Sequence, residues 1–555
     1  MSALTGGEAL VAGLAAHGVD TIFGIPGTHN LAAYAAMPSY GIKHISPRHE
    51  QGAGYAADGY ARSSGRPGVV LTTTGPAILN AAAAAAQAYS DSIPVLFISP
   101  GMPLAHPGRG NGLLHEIKDQ GAALAAVVAY SHRVTSVAEI PLAVAQAFAA
   151  MATGRPRPVH LEIPLDLLDE VGQVTVVPPV AAGQLMAPTA QIQAAAAALS
   201  VAQRPLLLVG GGASRAAAQV KDLAQALSAP VFATTNGKGI FPEDHVLAVG
   251  AGVQHPSTLA AFNDADAVVA IGTELSPADW WLGLPSLAGK LIRIDIDATS
   301  INTNAIPAHA LVGGSVAVLT ALLANLSATD TATDTATDAA TDDAAASIAA
   351  QRMVALRADF ETDAQTEGGP WLEIVDAIAA ALPRDGIVAA DSAMACYYGA
   401  LSNLPLHRPN AFLYPTGVGT LGYGLPAGIG AKVANPEAPV LVLHGDGGIM
   451  FTIAELAMAA ELRLALPIVI VDNGGYGEIR NEMADRGEPV HAVALGSPDF
   501  PALARALGCY GVAIANASEL GSAIKTALDA DRPTVLHIYE DSRAAADMLA
   551  AKEAL

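Results

Sequence analysis

The stretch PVLVLHGDGG, residues 439–448, decides the fold. Its first six residues are an apolar, valine- and leucine-rich run too short for a stable helix, and it breaks at Gly445-Asp446-Gly447-Gly448. A helix is predicted to follow from about Thr452 to Leu462, with Glu455 in its first turn. A second run, PIVIV at 467–471, then ends at Asp472-Asn473-Gly474-Gly475. Strand, helix and strand in this order make a right-handed crossover, so the two strands run parallel and both loops leave at the same carboxyl edge of a sheet. Open α/β sheets bind ligands at that edge. Asp446 and Asn473 therefore face one point. A carboxylate, an amide oxygen and a backbone carbonyl are hard oxygen ligands that suit Mg²⁺, which completes its octahedron with phosphate oxygens. Gly447 and Gly448 let backbone approach such phosphates, and a helix N-terminus presents free N–H groups to them. Glycines alone would serve equally well in tight strand-to-helix turns. Asn473 follows Asp446 by 27 positions.

The same alternation of β-branched runs and Ala-rich stretches extends toward both termini. Strands are expected at 21–23, 68–71 and 95–98, with helices after Asn30 and from Asn80, and the pattern persists to 158–168. A Pro/Val/Ala/Gly-rich stretch at 176–187 has the composition of a linker. A second α/β region begins at RPLLLVGGGAS, 204–214, and runs to about Leu326, with strands at 267–271 and 291–296. The repeat TDTATDTATDAATDD, 329–343, offers no apolar face and is expected to be a loosely ordered connector without chemistry. A third α/β region starts near Trp371, with strands at 387–390, 440–444 and 468–471. The expected fold is α/β: three domains with parallel sheets flanked by helices, at 1–175, 188–326 and 348–555, and a low-complexity linker at 327–347.

Composition sets limits on partners. A chain of 555 residues, 52% hydrophobic, exceeds what one core can hold. Its 28 basic and 51 acidic residues leave a net charge of −23 with no basic run, so nucleic acid is repelled and is not an expected partner. The two cysteines, Cys396 and Cys509, lack C-x-x-C spacing, which excludes a disulfide framework or a cysteine zinc site and fits a reducing compartment. The first twenty residues have no basic start, Glu8 interrupts their apolar run, and no uninterrupted apolar run reaches the ~18 residues needed to span a bilayer. No membrane partner and a cytoplasmic location are expected.

The GDG turn, helix, strand and Asn at this spacing resemble the thiamine-diphosphate motif of the acetolactate synthase and pyruvate decarboxylase superfamily. The resemblance implies that Asp446, Asn473 and the carbonyl of Gly475 hold Mg²⁺, with Gly447 and Gly448 against the diphosphate of thiamine diphosphate. Asp472 stands where the family usually has a first Asn, a position that is not a side-chain ligand there. SPRHEQGAGYAADGYAR, 46–62, resembles the helix of the pyrimidine-binding domain, whose acid corresponds to Glu50. A carboxyl bonded to the aminopyrimidine favours the imino tautomer that removes the thiazolium C2 proton, so Glu50 would activate the coenzyme. TGVGTLGYGLPAGIGAK, 416–432, resembles the loop whose large apolar residue, here Leu421, forces the coenzyme to bend, with Gly419 and Leu421 also offering backbone hydrogen bonds to the pyrimidine. TTGPAILN at 73–80, YSDSIPVLFIS at 89–99, RPLLLVGGGAS and LIRIDID at 291–297 continue the likeness across nearly the whole chain. The three domains would then be pyrimidine-binding, middle and diphosphate-binding, and the family binds its coenzyme between the first domain of one subunit and the third of another. A homodimer or homotetramer is expected.

Coenzyme motifs do not select a substrate. GIPGTHN at 24–30, GTELSPADWW at 272–281 and NGGYGEIRNEM at 473–483 together look like decarboxylases of 5-guanidino-2-oxopentanoate, with an acetolactate-synthase-like carboligase as the alternative and a catalytically silent relative as a third possibility. A guanidinium tail stays charged and needs carboxylate partners once it leaves water. Glu274, Asp279, Glu478 and Asp485 are the candidates, and Glu478 stands out because it follows Asn473 so closely. His115, in GLLHEIKDQ, matches a loop that carries a pocket His or Gln and is a further candidate for proton handling. Thr73 matches another pocket position, where a hydroxyl is a poor acid.

Overall fold

The computed structural model describes residues 2–181, 183–333 and 339–540, with side chains at all of these except 328–347. Among the described residues there are three six-stranded sheets, every pairing within them parallel, and one small antiparallel pair, Ser2–Thr5 with Val171–Val174. The first sheet runs Lys43–Ile45, Thr21–Gly24, Gly68–Leu71, Val95–Gly101, Val159–Pro164, Ser131–Arg133. The second runs Ala248–Ala251, Val231–Ala233, Pro205–Val209, Ala267–Ile271, Leu291–Asp295, His309–Val312. The third runs Phe412–Leu413, Ile387–Ala390, Val440–Gly445, Pro467–Asp472, Thr534–Tyr539, Tyr510–Ile514. Helices cover both faces, which is why the central strands read as unbroken apolar runs rather than alternating ones. Val440 to Leu443 have no exposed surface, and each such side chain contributes roughly 1.5–3 kcal/mol by leaving water.

In each sheet the chain lays its first strands to one side and then crosses to the other. This makes a switch point, where the loops after two adjacent strands part and leave a crevice. The crevice lies between Gly24 and Leu71 in the first sheet, Val209 and Ile271 in the second, and Ala390 and Gly445 in the third. The GDG turn therefore opens onto a switch point.

The first and third sheets share one hydrophobic core. The helix Glu50–Ser64 meets the helix Gly424–Ala434 at backbone distance: a Cβ at Gly59 would lie 2.1 Å from the carbonyl oxygen of Ala427, and one at Gly430 would lie 1.9 Å from that of Ala56. Only glycine permits this approach.

Several expectations differ from the structure. The helix placed at 452–462 spans Glu455–Glu461, preceded by a separate four-residue helix at Asp446–Ile449, so no long helix N-terminus faces the GDG turn. The helix expected from Asn80 begins at Pro76, and the strand at 291–296 ends at Asp295. Part of the Thr/Asp repeat is helical, because one helix runs on to Thr333 and the next begins at Ala339; the remainder, 334–338, lies outside the described residues. Alanine, the best helix former, suffices without an apolar face. The second of these helices, Ala339–Gly368, places Met353, Phe360 and Ala364 in the second sheet's core, so the boundary at 348 falls inside a helix. Among the described residues no helix is long and apolar enough to cross a membrane.

Candidate active site

At the third switch point Asp446 is buried, and its Oδ1 accepts the Asn473 N–H at 3.3 Å. Burial, then the nearby Asp472 carboxylate, push Asp446 up to about 6. Asp472 itself turns away to His537 at 2.9 Å and to the Gly474 N–H at 3.0 Å; burial would raise it, but these partners hold it below the usual carboxylate range. The amide nitrogen of Asn473 donates to Glu540 at 3.2 Å and touches Met394 sulfur at 3.8 Å, which leaves its Oδ1 buried and without a partner in the chain. A buried orphan acceptor beside a buried carboxylate is costly unless something electropositive binds there. Gly475, at φ 135°, fits because a Cβ would lie 2.2 Å from Val493 oxygen, and its own carbonyl oxygen sits 3.3 Å from where a Gly447 Cβ would be. Asp446, Asn473 and Gly475 thus share one loop edge, and a carboxylate, an amide oxygen and a backbone carbonyl are ligand types that suit a hard divalent cation.

The loop that carries Leu421 is held from several directions. Thr420 Oγ1 bonds to the Tyr55 hydroxyl at 2.7 Å, and Thr452 donates to the Gly422 carbonyl at 2.7 Å. Asp391, fully buried at the end of Ile387–Ala390, accepts from Gly422 N–H at 3.1 Å and Tyr423 N–H at 2.8 Å. It also pairs with His444 Nδ1 at 3.2 Å, while His444 Nε2 accepts from Leu425 N–H. Burial would raise Asp391, but His444 and the two N–H groups hold it below the ordinary range. Gly448 must be glycine here, because a Cβ would lie 2.1 Å from the Asp391 carboxylate. Gly419, at φ 62°, closes a turn onto the Pro415 carbonyl. Asp391 was missed in the sequence; its one signal was an acid directly after a strand that precedes a switch point.

The first sheet contributes a second group of residues. Glu50 heads its helix, partly buried, and its Oε2 accepts from Asn80 at 2.9 Å. Among the described residues it makes no hydrogen bond or ion pair with Asp446, Asn473 or Gly475. Beside it Glu455 accepts the backbone N–H groups of Arg48 and His49, and burial pushes it up to about 7. At the first switch point His115, at φ 65°, stacks edge-on against His29 with ring centres 5.2 Å apart. His29 bonds to Thr74 at 3.0 Å and is lowered by burial and by His115. Two further orphans point to a polar ligand here: His115 Nδ1 and Thr73 Oγ1 are both buried without partners. Gln120 fixes the loop by accepting from Gly75 N–H at 2.8 Å. A cavity of about 810 Å³ opens alongside, beneath the 102–119 segment. His29 was in the quoted GIPGTHN, yet only its meeting with His115 marks it.

Of the acids expected to meet a cationic tail, Glu274 is ion-paired to Arg155 and Arg157, and Asp279 is buried on Thr235, whose hydroxyl donates to it at 2.8 Å. Asp485 is exposed at the end of the helix Gly477–Asp485. Glu478 is the second residue of that helix, three past Gly475, and accepts from the Tyr398 hydroxyl at 2.8 Å.

Comparison with known proteins agrees with this layout. The family models described as thiamine pyrophosphate enzyme match in three parts: the N-terminal TPP binding domain over residues 4–123, the central domain over 192–322 and the C-terminal TPP binding domain over 393–538. A Pseudomonas aeruginosa protein named as a probable 2-ketoarginine decarboxylase is 43% identical over 515 residues, 91% of this chain and 89% of that protein. A probable acetolactate synthase large subunit of Methanocaldococcus jannaschii is 33% identical, covering 98% and 93%, and the acetolactate synthase isozyme 2 large subunit of Escherichia coli is 30% identical, covering 97% and 96%.

Proposed function

The chain belongs to the thiamine pyrophosphate enzyme family, and from that premise we propose that it decarboxylates 5-guanidino-2-oxopentanoate, which is 2-ketoarginine, to 4-guanidinobutanal and CO₂. One proton is taken up for each CO₂ lost. The observation that carries the substrate is the position of Glu478, a carboxylate whose hydrogen bonds come from the neutral hydroxyls of Tyr398 and Tyr397, in the first turn of the helix that follows the Asn473–Gly475 loop. The higher identity to a 2-ketoarginine decarboxylase than to acetolactate synthases supports the same choice.

When bound, thiamine diphosphate supplies the nucleophilic carbon and the electron sink for loss of CO₂ from a 2-oxo acid. Asp446, Asn473 Oδ1 and the Gly475 carbonyl would hold Mg²⁺, and the backbone of Gly447 and Gly448 would lie against the diphosphate. Leu421 and Gly419, on the loop that Asp391 steadies, would support the pyrimidine ring. Glu50 would hold a proton at the ring nitrogen. His115, with His29 against it, is placed to return a proton before the aldehyde leaves. If the coenzyme lies between the first domain of one subunit and the third of another, as the family resemblance implies, the working unit in this reading is a homodimer or a dimer of dimers.

Glu478→Gln tests the assignment. A charged pair broken in a desolvated site costs about 3–5 kcal/mol, and a solvated one about 0–1 kcal/mol. KM for the guanidino acid should therefore rise far more than KM for an uncharged 2-oxo acid of similar length. An equal loss on both assigns Glu478 to the coenzyme or to proton transfer and overturns the substrate reading.

A further inference from the structure

Around Tyr398 the chain gathers aromatic surface and negative charge. Ala395–Ala400 form a π-helical turn, a rare form that recurs at functional sites, and it sets the Tyr397 and Tyr398 rings 4.5 Å apart. Trp281, reaching over from the second sheet's 272–281 loop, stands nearly perpendicular to both, with ring centres 5.7 Å from Tyr398 and 6.3 Å from Tyr397. Despite these contacts 45% of Trp281 is exposed. Trp371 backs Tyr398 from behind as a stacked ring at 5.9 Å.

Besides Glu482, whose charge also acts on Tyr398, two carboxylates face this cluster. Glu478 accepts from the Tyr398 hydroxyl. Glu367 accepts from Gln254 at 3.0 Å and is pushed up to about 7 by burial, and its charge acts on Tyr398. His255 lies 3.8 Å from Glu367, but burial takes it down to about 4, so it is neutral near pH 7. The nearest arginine on the Glu478 helix, Arg480, donates to the Asn473 carbonyl instead. The hydrogen bonds into both acids thus come from neutral donors. Both walls are tied to the Asn473–Gly475 loop: Met394, against Asn473, precedes the π-turn, and Gly475 precedes the Glu478 helix.

We propose that Trp281, Tyr398 and Glu478 form a box that reads a planar guanidinium, with Trp281 as the residue that selects it over a neutral tail of the same shape. A guanidinium is flat, permanently charged and weakly hydrated, so it can lie on an indole face while donating to a carboxylate; a ureido group has the shape without the charge. The inference rests on the proposed decarboxylation of 5-guanidino-2-oxopentanoate and adds the residue from the second sheet that sets the preference.

The test is kcat/KM of the holoenzyme on 5-guanidino-2-oxopentanoate and on 5-ureido-2-oxopentanoate. Trp281→Leu should lower the guanidino-to-ureido ratio about 3- to 30-fold, the span of cation–π contacts from exposed to desolvated settings. Trp281→Phe, which keeps an aromatic face, should restore most of it. A high wild-type ratio that survives Trp281→Leu, an equal fall on both substrates, or no rescue by Trp281→Phe overturns this inference alone. A wild-type ratio near unity defeats the substrate reading itself.

Discussion

Asp391→Ala removes a carboxylate with no exposed surface and four partners: the N–H groups of Gly422, Tyr423 and Gly424 and the His444 ring. Breaking a buried pair on one side costs about 3–5 kcal/mol, because the remaining group stays desolvated. The three stranded N–H groups belong to the same penalty and are not added to it. For a unit of 150–250 residues each kcal/mol moves Tm by about 2–4 °C, so the third-sheet unit should melt roughly 6–20 °C lower. Because the folded carboxyl is held below its ordinary 3.8, its contribution is present above that value and is lost only as pH falls through the folded one. The difference should therefore persist from pH 6 to 8. The assay is a fixed-rate thermal melt by circular dichroism, with and without thiamine diphosphate and Mg²⁺. The variant should also gain less protection from the coenzyme, since the Gly419–Leu421 segment leads directly into Gly422. A drop below about 2 °C, the scale of a surface ion pair, would refute the reasoning.

Asp446→Ala should abolish joint binding of Mg²⁺ and thiamine diphosphate in calorimetry, and unchanged affinity would remove Asp446 from the coenzyme site. Mixed Glu50→Gln and Asp446→Ala subunits should regain activity, because one composite site in each hybrid dimer is intact; no recovery despite proven exchange would mean that each site is built within one chain. Glu367 has a folded value raised from 4.5 to about 7, so its favourable contribution is present below 4.5 and lost as pH rises through 7. Glu367→Gln should accordingly stabilise the protein at pH 8, by about 1–3 kcal/mol after allowance for its partial exposure, and much less at pH 5.5; an equal Tm change at both would contradict this.

What the sequence made legible was governed by burial and spacing. The strands Val440–Gly445 and Pro467–Asp472 are largely apolar runs, and Asp446 and Asn473 follow them directly, so the meeting of these two residues at one sheet edge could be read without coordinates. The short edge strands Lys43–Ile45 and Ser131–Arg133 were not expected, since partly exposed residues give them no clear pattern. Asp391 was missed because its role depends on Gly422, Tyr423 and His444, which are distant in the chain. Glu274 looked available to a ligand because its partner Arg155 lies 119 residues upstream. The Tyr397, Tyr398 and Trp281 cluster was hidden for a similar reason: it needs a π-turn and two sheets to assemble.

The central claim is tested most directly by the products made when the holoenzyme is given pyruvate, benzoylformate and 5-guanidino-2-oxopentanoate, with CO₂ and aldehyde followed together. The account predicts fastest turnover of the guanidino acid, with one CO₂ and one 4-guanidinobutanal formed per substrate and none without thiamine diphosphate. Preference for pyruvate with acetolactate as product would contradict it and make the chain a carboligase.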